Sequence, residues 1–192
     1  MRLVFATNNV HKLNEARDIL GNKIEIISLS DLGCHVDIPE TGNTLDANSR
    51  QKAEFIFEHY GVDCFADDTG LEVDALDGRP GVYTARYAGE PVDFRANRHK
   101  LLTELRDINN RGAHFRTVAT LILNGQVYQF EGCVLGRIST EEYGDGGFGY
   151  DPIFIPQGYD KTFAELPSQI KNSISHRYKA LSKMRDFLST LK

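Results

Sequence analysis

The sequence predicts a mixed α/β (α+β) protein built as a single two-lobed unit. Strand-like and helix-like segments alternate over the first third, a long hairpin occupies the later half, and an amphipathic helix closes the chain. Its 192 residues suffice for one domain at roughly 100 to 200 residues per domain. With 41% hydrophobic and 26% charged residues the usage is ordinary for a globular chain, which excludes a disordered or fibrous one.

Each element has a local reason. Arg2 to Ala6 is a short apolar run, and Thr7-Asn8-Asn9 after it supplies side chains that cap a helix over Val10 to Leu20. Leu13, Ala16 and Leu20 share one face of that helix. Ile24 to Ile27 reads as a second strand, and Leu45, Ala53, Ile56 and Tyr60 give helical spacing to Thr44 to Tyr60. Asp63 to Ala66 and Leu71 to Val73 are β-prone, and Asp67-Asp68-Thr69-Gly70 between them has turn composition, which puts the acidic pair at a strand end. A Gly/Pro loop over Gly78 to Gly81 precedes a polar helix over Asp93 to Ile108. Phe115 to Leu123 and Val127 to Val134 flank Asn124-Gly125, the pair suited to a type I′ turn. Tyr143 to Gly149 carries four glycines in seven residues and is a loop. Ser175 starts a helix to about Leu191, with Leu181, Met184, Phe187, Leu188 and Leu191 as its apolar stripe.

Several function classes are excluded at this level. No stretch of about 18 apolar residues exists, and Leu3 to Ala6 is too short for a signal-peptide core, so the expectation is a cytoplasmic protein with no membrane partner. Cys34, Cys64 and Cys133 form no Cys-x-x-Cys pair and read as reduced thiols. A formal charge of −5 argues against a nucleic-acid surface, because duplex affinity comes from phosphate neutralisation. An anionic ligand must then be met by a focused group of Lys and Arg, or by a divalent metal held on carboxylates.

Four segments could carry chemistry. Thr7 to Lys12 joins a strand to a helix start, whose N–H groups and dipole favour an anion. Lys12 in the first turn opposes that dipole unless an anion compensates, so the segment is a phosphate site or a surface lysine on a capped helix. Asp67 and Asp68 would repel each other in a confined site, and Mg²⁺ is the usual remedy; a hydrophilic turn is the alternative. Phe148-Gly149-Tyr150-Asp151-Pro152 sets two aromatics and a carboxylate on a loop. A base could stack there for ~1–3 kcal/mol, or the rings could plug the lobe beneath. Lys171, His176 and Arg177 supply donors near a helix N-terminus that is otherwise an ordinary capped start.

Taken together, the stretches Thr7-x-Asn9-x-x-Lys12, Glu40-Thr41-Gly42, Ala66-Asp67-Asp68-Thr69-Gly70-Leu71, Pro80 to Tyr87, Gly147 to Pro152 and Ser175-His176-Arg177 resemble the inosine triphosphate pyrophosphatase family, the Ham1-like enzymes, in their order. The resemblance spans nearly the whole chain. It implies cleavage of a purine nucleoside triphosphate between the α- and β-phosphates, with the deaminated substrates ITP, dITP and XTP preferred. It also implies that Thr7, Asn8, Asn9 and Lys12 cradle phosphates, that Glu40 and Asp68 hold Mg²⁺, and that Lys52 reaches in from the second helix. Asp68 is then the residue that orients water, with Asp67 sharing either role and Thr69 beside them among the substrate-binding residues. Next to a metal its carboxyl should be a poor proton acceptor, so positioning is its expected task.

Phe148, Gly149 and Tyr150 are expected at the base. Lys171, His176 and Arg177 would donate to the 6-oxygen that adenine lacks, and Asp151 would accept from N1–H. The resemblance further implies a homodimer of two-lobed subunits. One lobe would be residues 1–75 with 145–192, the other 76–144, with the substrate cleft between them. Two alternatives remain at this stage: a metal-dependent nucleotide phosphohydrolase of broad specificity, and a nucleotide-binding module without catalysis.

Overall fold

The run from Arg2 can bury alternate side chains to opposite sides only when extended. In the computed structural model, which describes residues 1–191, it forms strand β1 (Arg2–Phe5). Helix α1 (Val10–Leu20) follows from its Asn9 cap, and β2 (Glu25–Ile27) returns parallel to β1 with Leu3 opposite Ile26. A single-turn helix, α2 (Leu29–Leu32), and then α3 (Leu45–Tyr60), capped by Thr44, lead to β3 (Cys64–Val73), which lies parallel to β1 with Val4 opposite Cys64.

β3 is one continuous ten-residue strand, so the turn expected at Asp67-Asp68-Thr69-Gly70 does not form. Turn composition loses here because the strand has sheet neighbours on both sides and its carboxylates find cations on the helices.

The short β4 (Pro80–Gly81) lies antiparallel to β3, and α4 (Phe94–Glu104) starts at an Asp93 cap. The hairpin strands β5 (Gly112–Leu123) and β6 (Gln126–Ile138) extend past the expected ends. Their turn is as read from the sequence, with φ of 50° at Asn124 and 77° at Gly125. β7 (Phe154–Pro156) pairs antiparallel with β6, and α5 (Ser168–Ile174) and α6 (His176–Thr190) complete the chain. The seven-stranded mixed sheet runs β2-β1-β3-β5-β6-β7, with β4 added on β3.

The chain divides into two compact units. The first comprises Met1–Asp68, Thr117–Gly132 and the segment from His176 onward; the second comprises Thr69–Arg116 and Cys133–Ser175. This differs from the expected lobes in three places, the first being that residues 69–75 fall in the second unit. The hairpin tip belongs with the first unit and 145–175 with the second, because strands of twelve and thirteen residues are long enough to serve both.

In the first unit, Leu3, Phe5 and Phe65 bury one face of the strands with Ala16 and Leu20 of α1 and Leu181 and Met184 of α6. The rings of Phe5 and Phe65 stack at 4.3 Å. Val4, Ala6, Cys64 and Ala66 point the other way, onto Leu29, Ala53 and Ile56. Strands covered on both faces read as unbroken apolar runs, which explains the beginning of the sequence. In the second unit, Phe115, Phe154 and Phe163 centre a core that includes Leu71, Leu101, Leu105 and Ile153. No described helix is long and apolar enough to cross a membrane.

Candidate active site

The pleat of β3 decides where its two aspartates go. Residues 65 and 67 share one side, toward α1 and α6, while 66 and 68 share the other, toward α3. On the first side Lys12 Nζ lies 2.8 Å from Asp67 Oδ1, and Arg177 Nε donates to Asp67 Oδ2 at 2.9 Å. Arg177 Nη1 also pairs with Glu15, one turn along α1 from Lys12. The order Lys12–Asp67–Arg177–Glu15 is thus an alternating chain of charges, with Asp67 1% and Arg177 3% exposed. Burial pushes the Asp67 carboxyl up, yet Lys12, Arg177 and Lys52 together outweigh it and hold it well below the usual carboxylate range. Burial likewise lowers the Arg177 guanidinium, and Asp67 and Glu15 more than restore it. For Lys12 the balance tips the other way: burial and the neighbouring Lys52 and Arg177 leave its ammonium below its ordinary value despite Asp67.

On the second side Lys52 Nζ is 2.5 Å from Glu40 Oε1 and 3.7 Å from Asp68 Oδ1. Burial raises the Asp68 carboxyl, Glu40 adds to that, and Lys52, Lys12 and a hydrogen bond from Asn48 only partly offset it. Burial would lower Lys52, but Asp68, Glu40 and Asp67 outweigh it and raise its ammonium. Adjacent aspartates are therefore shifted in opposite directions, a pattern that separates acid–base roles.

Lys12, Lys52 and Arg177 stand against Glu15, Glu40, Asp67 and Asp68, three cations to four carboxylates. That surplus negative charge would repel a triphosphate. A divalent cation reverses its sign, and Glu40 and Asp68, converging on one ammonium, are hard oxygen donors suited to Mg²⁺. Among the described residues no group of three or more His, Cys, Asp or Glu is placed to hold a metal ion. Two carboxylates nevertheless suit Mg²⁺, which commonly completes its shell with water and substrate phosphates.

The remaining expected residues separate into those the structure keeps near chemistry and those it uses for packing. Asn9 Oδ1 accepts from the N–H groups of His11 and Lys12, and Thr7 Oγ1 from that of Asn9. The turn is thereby preorganised, although two of the helix donors are already used by its cap. Asn8 is exposed beside them. In the second unit Lys171 Nζ lies 2.6 Å from Asp151 Oδ2 and 5.1 Å from the Phe148 ring centroid. Asp151 Oδ2 also accepts the Phe148 N–H at 2.7 Å, so this oxygen organises the loop. Gly147 has φ of 73°, and a Cβ there would strike that carboxylate.

Tyr150 departs from expectation. It is 2% exposed in the second core and donates its hydroxyl to the Thr84 carbonyl, which makes it a packing residue. Thr69 opens the second unit's share of β3, and His176 is buried at the first position of α6. Arg177, expected as a donor to the base, instead commits Nε and Nη1 to Asp67 and Glu15.

Three residues escaped sequence reasoning. Glu15 lies three positions after Lys12 on α1, a spacing that shares a helix face. Asn48 and Gln51 precede Lys52 on α3 by four residues and one residue. Asn48 Oδ1 accepts the Gly42 N–H at 2.7 Å, and Gln51 Oε1 the Thr41 N–H at 2.9 Å, clamping the Glu40 loop to the helix. A Cβ on Gly42 would lie 2.7 Å from that of Ala47, which accounts for the glycine.

A mixed α/β chain whose strand carries two carboxylates among three buried or partly buried cations defines a class: proteins that handle phosphorylated ligands through paired charges. Comparison with known proteins narrows that class. The chain belongs to the Ham1 family, whose model matches residues 3–187. It is 52% identical over 192 residues to a dITP/XTP pyrophosphatase of Flavobacterium johnsoniae, covering 100% of both chains. Identity is 55% over 188 residues to a dITP/XTP pyrophosphatase of Porphyromonas gingivalis, covering 97% of each. The Ham1 protein of Staphylococcus aureus superposes with a TM-score of 0.93 at 39% identity, covering 100% of both chains.

Proposed function

We propose that this protein hydrolyses the deaminated purine nucleoside triphosphates ITP, dITP and XTP to the monophosphate and pyrophosphate, clearing them from the nucleotide pool of the cytoplasm. The observation that carries this reading is the division of Asp67 and Asp68 between two sides of β3, each among its own cations, in a chain of the Ham1 family.

Hydrolysis at the α-phosphorus needs an oriented water and cations on the leaving pyrophosphate. In this reading Asp68 aims the water at the α-phosphorus, a positioning task. Lys12 and the Thr7–Asn9 turn hold the phosphates, and Lys52 steadies Glu40 and Asp68 between turnovers. Mg²⁺, on Glu40 and Asp68, would supply charge neutralisation at the phosphate oxygens. Asp67, saturated by Lys12 and Arg177, orients those two cations and takes no proton. Lys171 donates to the 6-oxygen of the base, and Phe148 offers its ring for stacking. Arg177 acts through Asp67.

The protein is read as a homodimer. The exposed apolar side chains Tyr83, Val92 and Phe94 of the second unit support that reading.

Initial rates on XTP, ITP, GTP and ATP at matched concentration with Mg²⁺ test the function. XTP and ITP should exceed ATP by orders of magnitude, and the product should be pyrophosphate. A flat profile, or orthophosphate in its place, overturns the reading.

A further inference from the structure

The glycine-rich loop is held at both ends by one side chain. Arg98, on α4, donates from Nη1 to the carbonyl of Gly149 at 2.9 Å, and its Nη2 lies 3.0 Å from Glu142 Oε2. Glu142 stands where the loop begins and Gly149 where it ends.

The rest of the loop's anchoring lies lower down. The Tyr143 N–H bonds the Pro152 carbonyl at 2.8 Å, and Thr162 Oγ1 donates to the Tyr143 carbonyl at 2.9 Å. Close to Phe148, its own N–H bonds Asp151, its carbonyl accepts the Asp151 N–H at 3.1 Å, and Arg98 holds the next carbonyl. Gly149 has φ of 61° and open space where a Cβ would sit, so the residue serves backbone direction alone. Arg98, bonded to the Gly149 carbonyl itself, helps hold that direction. A guanidinium can bridge two acceptors from one plane, which an ammonium cannot do in the same way.

We propose that Arg98 is a positioning residue for purine recognition, holding the loop so that the Phe148 ring and the Asp151–Lys171 pair present one fixed surface to the base. Arg98 itself touches no substrate. The inference rests on the proposed function and extends it to a residue outside every motif singled out in the sequence.

The test compares Arg98→Ala, Arg98→Lys and Glu142→Gln with the wild type. Arg98→Ala should raise KM for XTP and dITP about 10-fold while kcat stays within about 2-fold, as expected when only orientation of the bound base is lost. Arg98→Lys, which keeps one contact, and Glu142→Gln, which keeps an acceptor without the charge, should fall between. Inhibition by inorganic pyrophosphate, which has no base, should not move. Amide hydrogen exchange over residues 146–149 should accelerate in the same order as KM.

Unchanged KM in all three folded variants overturns the proposal. A parallel loss of kcat, pyrophosphate inhibition and melting temperature also overturns it, since that is the signature of general destabilisation. If Arg98→Ala fails to fold, the two milder variants decide. A wild type that releases no pyrophosphate from XTP defeats the functional reading itself and is recognised by that result alone.

Discussion

The side of β3 that faces α1 and α6 and the side that faces α3 begin from the same residue type, one step of the pleat apart. Asp67 receives a lysine on one oxygen and an arginine on the other, and its charge is locked in place. Asp68 is also buried, but its cation Lys52 sits closer to Glu40 than to it, and its carboxyl is raised. A fully compensated charge is a fixture that orients its neighbours. An incompletely compensated one retains affinity for a proton or a metal ion, which is why the proposed function places its chemistry there.

The sharpest way to break this comparison is Asp68→Asn. Pyrophosphate release should fall by roughly 10² to 10⁴ in kcat, the usual worth of a positioned acid–base group, with KM changed only a few-fold. Activity equal to wild type removes Asp68 from the mechanism.

Asp67→Asn should act on stability. It leaves Lys12 and Arg177 buried without their shared anion, at a cost of about 3–5 kcal/mol read from urea unfolding. Its pH dependence sharpens the point. The folded carboxyl titrates below the unfolded value of about 3.9, so its stabilisation is complete above that value and disappears as pH falls through the depressed folded value. Wild-type stability should therefore drop in acid more steeply than that of Asp67→Asn.

Glu15→Gln keeps a hydrogen-bond acceptor for Arg177 and removes a charge whose side chain is 22% exposed. Its cost should stay near 1–2 kcal/mol, clearly less than that of Asp67→Asn. The smallest effect belongs to Asn9→Ala, which removes the cap of α1 for about 1 kcal/mol in thermal unfolding.

Local signals were legible in the sequence. Asn9 as a cap and Asn124-Gly125 as a turn specify their own backbone and needed no tertiary information. The acidic pair stands in a continuous strand where its composition predicts a turn. Asp-Asp-Thr-Gly is turn-like by composition, and only the cations of α1, α3 and α6, distant in sequence, make a buried strand tolerable there. Period-two alternation along an extended 65–68 sets Phe65 with Asp67 and Ala66 with Asp68, a signal available in the sequence and opposed by the composition. The partners of Arg177 and Tyr150 were hidden for a related reason, since a donor and a ring in a motif do not disclose which buried group pairs with them. Glu15, Asn48 and Arg98 act through partners that only the folded chain brings near.

The most direct test of the account is hydrolysis of XTP in ¹⁸O-labelled water with mass analysis of both products. Water aimed by Asp68 at the α-phosphorus puts the label in the monophosphate and leaves pyrophosphate unlabelled. Label in pyrophosphate, or its appearance in orthophosphate, would contradict it.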